Sequence, residues 1–173
     1  MIKFSKYLNE VVDLNNNYTS IDTEQFFRYA YELYLAQTDD DPKKSFEEAT
    51  PYLFKKYSYS VKAFKYKDFV ILYGKSPVTK RYEVHFWDIV AKQTNGLTGK
   101  NMLSIFGVVM SIIIDKHLSV RDDDLYIVFK DDTKRGEFYT NLTTKILDKQ
   151  GLADKFKVNI NTDNIVISKK SEV

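Results

Sequence analysis

The stretch from Ile105 to Ile114 reads Ile-Phe-Gly-Val-Val-Met-Ser-Ile-Ile-Ile and carries no charge. It is too apolar to lie on a protein surface, and it falls short of the roughly 20 residues that a bilayer span needs. It predicts a buried helix from about Asn101 to His117, with Leu103, Phe106, Met110 and Ile113 or Ile114 on the core face. Strand patterns stand on both sides of it. A helix that joins two strands of one sheet buries itself by crossing over that sheet. The strands holding Trp87 and Leu125 should therefore be parallel. Gly107 in mid-helix costs about 1 kcal/mol relative to Ala, which points to a close packing contact there.

The rest of the chain is legible in the same way. Asp22-Thr-Glu-Gln25 resembles a capping box, and the rows Phe26, Ala30, Leu33 and Phe27, Tyr31, Tyr34 predict a helix from Asp22 to Gln37. Ser45-Phe-Glu-Glu48 is a second capping box. Thr50-Pro51 reads as a further helix start, so two short helical pieces are expected between Pro42 and Tyr57. The period then changes to two. Tyr57 to Ala63 alternates, Phe69 to Tyr73 is a buried run, and Tyr82 to Trp87 alternates again, giving an antiparallel meander with a turn at Gly74-Lys-Ser-Pro77. Leu125 to Phe129 should be a strand buried on both faces. Thr133 opens a helix with Phe138, Leu142 and Ile146 in line and Gly151 as its stop. A hairpin across Asn161–Asn164 joins Phe156–Ile160 to Ile165–Ile167, and the residues from Lys169 should fray.

The expected class is α/β with a mixed sheet, helices on both faces and the order α-α-β-β-β-α-β-α-β-β. At 173 residues one domain is the default, here 18–168, with a leader over 1–14 and a tail over 169–173. Zero Cys excludes disulfides, thiol catalysis and thiolate metal sites. With no apolar leader and no bilayer-length run, the expectation is a soluble, non-secreted chain with no membrane partner.

Charge is uneven. Residues 1–51 hold 5 Lys+Arg against 10 Asp+Glu, residues 52–82 hold 8 against 1, and residues 83–173 hold 13 against 13. In the basic segment Lys55, Lys56, Lys62, Lys65 and Lys67 interleave with aromatic residues. That mixture could track phosphates and stack bases, giving weak non-specific contact with nucleic acid, DNA included. It equally suits a strand with Lys on its wet face and rings inside.

The order of elements resembles the GNAT acyltransferase fold over roughly residues 20–168. The family's pattern of Gln/Arg-x-x-Gly-x-Gly/Ala, between its fourth strand and third helix, is similar to Gln93-Thr-Asn-Gly96-Leu-Thr98 here, followed by Gly99-Lys100. Thr98 replaces the final small residue, and the family's later Gly-Phe is blurred into Gly151-Leu-Ala. The resemblance implies a pyrophosphate held by Gln93, Gly96, Thr98, Gly99 and Lys100 against the helix N-terminus. It also implies acetyl-CoA or another acyl-CoA as cofactor. Tyr139 then stands where the family has a general acid, and Glu83 with His85, sharing a strand face, could pair as base and orienter.

The first ten residues, Met-Ile-Lys-Phe-Ser-Lys-Tyr-Leu-Asn-Glu10, resemble the capsid-targeting propeptide of T-even-type phage internal head proteins. That family begins Met-Lys-x-aromatic-x-x-aromatic-Leu/Ile-x-Glu, and Ile2 is one residue extra. The resemblance implies cleavage after Leu8-Asn9-Glu10 by the head-maturation protease and capsid or scaffold proteins as partners. It also implies residence in the virion or host cytoplasm. Such a protein acts by binding and needs no cofactor.

Other chemistry is sparse. With His85 and His117 the only histidines, a transition-metal site is not expected. His117, near a helix C-terminus, reads as a favourable dipole contact. Asp122–Asp124 and Asp131–Asp132 read as solvated loops, and Trp87 reads as core or as a partner contact.

Overall fold

A computed structural model describes residues 14–37, 45–57, 62–94, 102–129 and 133–172. Among them the strands are β1 (Thr19–Ser20), β2 (Lys62–Tyr66), β3 (Phe69–Lys75), β4 (Tyr82–Asp88), β5 (Gln93–Thr94), β6 (Leu125–Val128), β7 (Phe156–Ile160) and β8 (Asn164–Lys169). The helices are α1 (Thr23–Gln37), α2 (Phe46–Tyr57), α3 (Met102–Ile113), which runs on as a π-helix over Ile114–Leu118, and α4 (Thr133–Lys149). The mixed α/β class is as expected. The two short strands β1 and β5 are additions to the expected order. Of the leader, residues 1–13 fall outside the described residues.

Seven strands lie in the order β1-β2-β3-β4-β6-β8-β7, with β5 paired to β4 alone. Every pairing is antiparallel except β4 with β6, the two strands that the apolar helix joins. The crossover argument therefore holds.

Alternation along the strands sorts side chains into two cores. Phe64, Ile71, Val84, Phe86 and Ile127 face α3 and α4, packing on Phe106, Met110, Phe138 and Tyr139. Ala63, Val70, Leu72 and Trp87 face α1 and α2, packing on Phe26, Phe27, Ala30 and Leu53. Trp87 is thus a core residue, stacked on Phe26 with centroids 5.5 Å apart.

Local chemistry accounts for most of the ends. Asp22 Oδ1 accepts the Gln25 N–H at 2.8 Å and caps α1. Ser45 and Glu48 bond reciprocally and start α2. Gly151 takes φ 70°, and the Leu152 N–H reaches back to the Leu147 carbonyl, closing α4. Gly107 is buried, and its carbonyl accepts the N–H of Asn15 at 3.4 Å, so the chain before β1 passes over it.

Several boundaries differ from expectation. α2 is one helix with Pro51 inside it, not two pieces. Thr50 is no cap, because its hydroxyl donates back to the Phe46 carbonyl at 2.6 Å. The bond lost at Pro51 would have used the carbonyl of Glu47, an exposed residue. The first long strand is Lys62–Tyr66, and Tyr57 ends α2 instead of opening that strand. Gly74 and Lys75 extend β3, and the turn falls at Ser76–Arg81. β6 is buried on one face and half-buried on the other. Lys169 stays in register with Phe156, and the Lys170 N–H donates to the Lys155 carbonyl.

Candidate functional site

The parallel pair is the one place where the sheet changes sense. β4 and β6 share the register Tyr82 with Leu125, Glu83 with Tyr126 and Val84 with Ile127. That register ends at Val84, whereas β4 continues through His85, Phe86 and Trp87 to Asp88. β3 runs along the whole of β4 on its other edge. The short β5 therefore takes the β6 side of β4 at its far end, opposite Trp87 and Asp88. From β5 the chain leads to α3, whose first residue is Met102. Open α/β sheets bind ligands outside the carboxyl ends of parallel strands at such a switch point.

Of the residues expected to hold a pyrophosphate, Gln93 is the first residue of β5, paired with Asp88. Gly96, Thr98, Gly99 and Lys100 lie outside the described residues. So do Leu8, Asn9 and Glu10 of the leader.

Glu83 and His85 do meet. His85 Nε2 lies 2.8 Å from Glu83 Oε2, and the Thr79 hydroxyl donates to Oε1 at 2.6 Å. The hydrogen bond from His85, ahead of that from Thr79, holds the Glu83 carboxyl below its ordinary range despite partial burial. The two side chains share the sheet face of Trp87, the α1–α2 side.

Tyr139 lies on the opposite face. It is fully buried, stacked on Phe106 at 5.4 Å and 6°, with Phe86 edge-on at 6.4 Å. β4 thus separates Tyr139 from the Glu83–His85 pair, and the three do not form one constellation.

The basic segment is likewise dispersed. Lys55 is exposed on α2, Lys65 lies over the Tyr29 ring of α1, and Lys67 stands at the β2–β3 hairpin tip with φ 49°. Lys62 opens β2 opposite Tyr73 on the α3–α4 face. Lys56 has no described side chain. No single strip of lysines results.

His117 corrects the dipole reading. It is fully buried in the π-helix, and its Nε2 lies 2.8 Å from the Asp123 carbonyl. A carbonyl only accepts, so Nε2 carries the proton and Nδ1 is an acceptor, with the Tyr73 hydroxyl 2.9 Å away. Burial lowers the pKa of His117, keeping the ring neutral. A neutral ring offers no charge to a helix end. Sequence reasoning missed this role because Tyr73 comes from a strand 44 residues away.

Among the described residues no group of three His, Asp or Glu side chains could hold a metal ion, and no helix is long and apolar enough to cross a membrane. Comparison with protein-family models, curated proteins and solved structures found no match.

Proposed function

We propose that the domain is a GNAT-like module that binds an acyl-CoA at the N-terminal end of α3 and acts by binding, without acyl transfer. The observation that carries this reading is that β4 pairs with β6 only through Val84 and runs on to Asp88, in a sheet otherwise antiparallel. Beyond Val84 the same edge of β4 is met by β5, from which the chain leads to α3. There the first amides of α3 and the Gly96–Lys100 segment would meet a pyrophosphate, and the edge of β4 would take the pantetheine arm. The wide separation of Tyr139 from Glu83 and His85 supports binding over catalysis. Isothermal titration with acetyl-CoA tests it. Saturable binding, weakened in Gly96→Val, with thiol release staying at the uncatalysed rate, is the expected result. Absence of binding defeats the reading, and catalysed thiol release replaces it with an acyltransferase.

A second reading concerns delivery. We infer that residues 1–10 are a capsid-targeting propeptide of a phage internal head protein, removed after Glu10. Leu14 packs against the α3–α4 core and Asn15 bonds to Gly107. The domain is thus tied down from residue 14 onward, beyond the Glu10–Val11 bond. Intact mass from purified virions should correspond to a chain beginning at Val11. A full-length mass in mature heads overturns this reading.

A further inference from the structure

At the opposite end of β4 from the acyl-CoA site, a cavity of about 570 Å³ lies between the sheet and the π-helix. Its cations come from separate segments: Lys62 opens β2, Lys75 ends β3, Lys80 sits in the following loop, Lys116 is in the π-helix and Arg121 precedes β6. No Asp or Glu lines it. The chain as a whole is close to neutral, at +2, so this is a local concentration of charge.

The walls are built. Tyr73 and Tyr82 stack at 6.2 Å and 22°. Arg121 lies 4.6 Å over the Tyr82 ring, and its charge acts on the Tyr73 hydroxyl. His117, bonded to the Asp123 carbonyl, holds that hydroxyl from below. Arg121 is therefore positioned before any ligand arrives, which lowers the ordering cost of binding. The charges of Asp123 and Asp124 act on His117, and that of Asp123 on Tyr73 as well, while the other carboxylates close by are engaged or turned elsewhere. Asp115 is an exposed neighbour 3.6 Å from Lys116, Asp122 pairs with Lys169, and Glu83 is taken by His85 and Thr79 on the other sheet face.

We propose that this cavity binds a small molecule carrying a diphosphate or an equivalent pair of anionic groups. Mobile lysine ammoniums supply point charge, and the fixed guanidinium fork of Arg121 suits bidentate contact with phosphate oxygens. The volume is that of a small-ligand site. A nucleic-acid strand would need cations spread along a track, and Lys55, Lys65 and Lys67 lie away from the cavity.

Inorganic pyrophosphate is the probe, titrated by calorimetry against the whole chain and against Lys116→Gln, Arg121→Gln and Lys67→Gln, each checked for folding by circular dichroism. Loss of one charge-assisted contact should weaken binding about tenfold or more in the first two variants, while Lys67→Gln stays near wild type. Failure of pyrophosphate to saturate, or equal loss in all three variants, overturns the proposal. So does an oligonucleotide that displaces pyrophosphate and depends equally on Lys65 and Lys67. Gly96→Val, expected to weaken acetyl-CoA binding at α3, should leave the pyrophosphate titration unchanged, so the two proposals fail separately.

Discussion

Replacing Gly136 with Ala sets two effects against each other, and the geometry decides the sign. In a helix interior Ala gains about 1 kcal/mol over Gly. A Cβ at Gly136, however, would lie 2.8 Å from Ile160 Cδ1 and 2.9 Å from Phe129 Cζ. Carbon atoms in contact sit about 3.5–4.0 Å apart, so both neighbours must retreat. Ile160 is 42% exposed and its terminal methyl can swing, but Phe129 is 2% exposed and has little room. Overpacking of this kind costs about 1–3 kcal/mol. The net expectation for Gly136→Ala is a loss of about 1 kcal/mol, or roughly 2–4 °C in Tm for a chain of this size. Urea unfolding of the variant measures it. Adding Ile160→Val, which removes Cδ1, should recover part of the loss in a double-mutant cycle. If Gly136→Ala instead raises Tm by the helix-propensity gain alone, α4 does not approach β7 and Phe129 this closely. The placement of Tyr139 would then fall with it.

Phe26→Ala should cost about 3–5 kcal/mol and shift Trp87 emission to the red, because it opens the stacked ring pair of the α1–α2 core; unchanged fluorescence would contradict that packing. The Glu83 carboxyl has its folded pKa held below the ordinary 4.5, so its contribution to stability is present above about pH 4.5 and is lost as pH falls through the lowered value. Urea unfolding of Glu83→Gln against wild type, near neutrality and in acid, should show the gap between them narrowing in acid. The His117 pKa is lowered from 6.5, so the unfolded chain takes up this proton first. Stability should fall as pH drops below about 6.5 until the folded ring itself protonates, and His117→Gln should remove that slope.

The sequence was most readable where one period ran long enough to exclude the other. Ile105–Ile114 could only be a buried helix, and its position between strands made β4 and β6 parallel. Asp22, Ser45 and Gly151 mark helix ends by local hydrogen bonding, which sequence records directly. Pro51 misled because its missing N–H matters little where the facing carbonyl belongs to Glu47, an exposed residue. β2 was placed too early because Tyr57 continues the alternation by chance while α2 still holds it. The candidate site was legible in part. Glu83 and His85 are two apart on one strand, so their pairing follows from the pleat. That Tyr139 packs behind Phe86 follows from which face α4 covers, a tertiary fact. The convergence of Lys62 with Lys75 and Lys80 and with Lys116 and Arg121 needs three stretches of chain folded together, and no local pattern marks it.

The central claim is that the end of the β4–β6 register and the start of α3 form an acyl-CoA site. Irradiation of the protein with a benzophenone-bearing CoA thioester, followed by peptide mapping, tests it most directly. The account predicts adducts within residues 85–106 that unlabelled acetyl-CoA suppresses. Adducts confined to peptides holding Lys62, Lys116 and Arg121, or labelling that acetyl-CoA does not suppress, would contradict it.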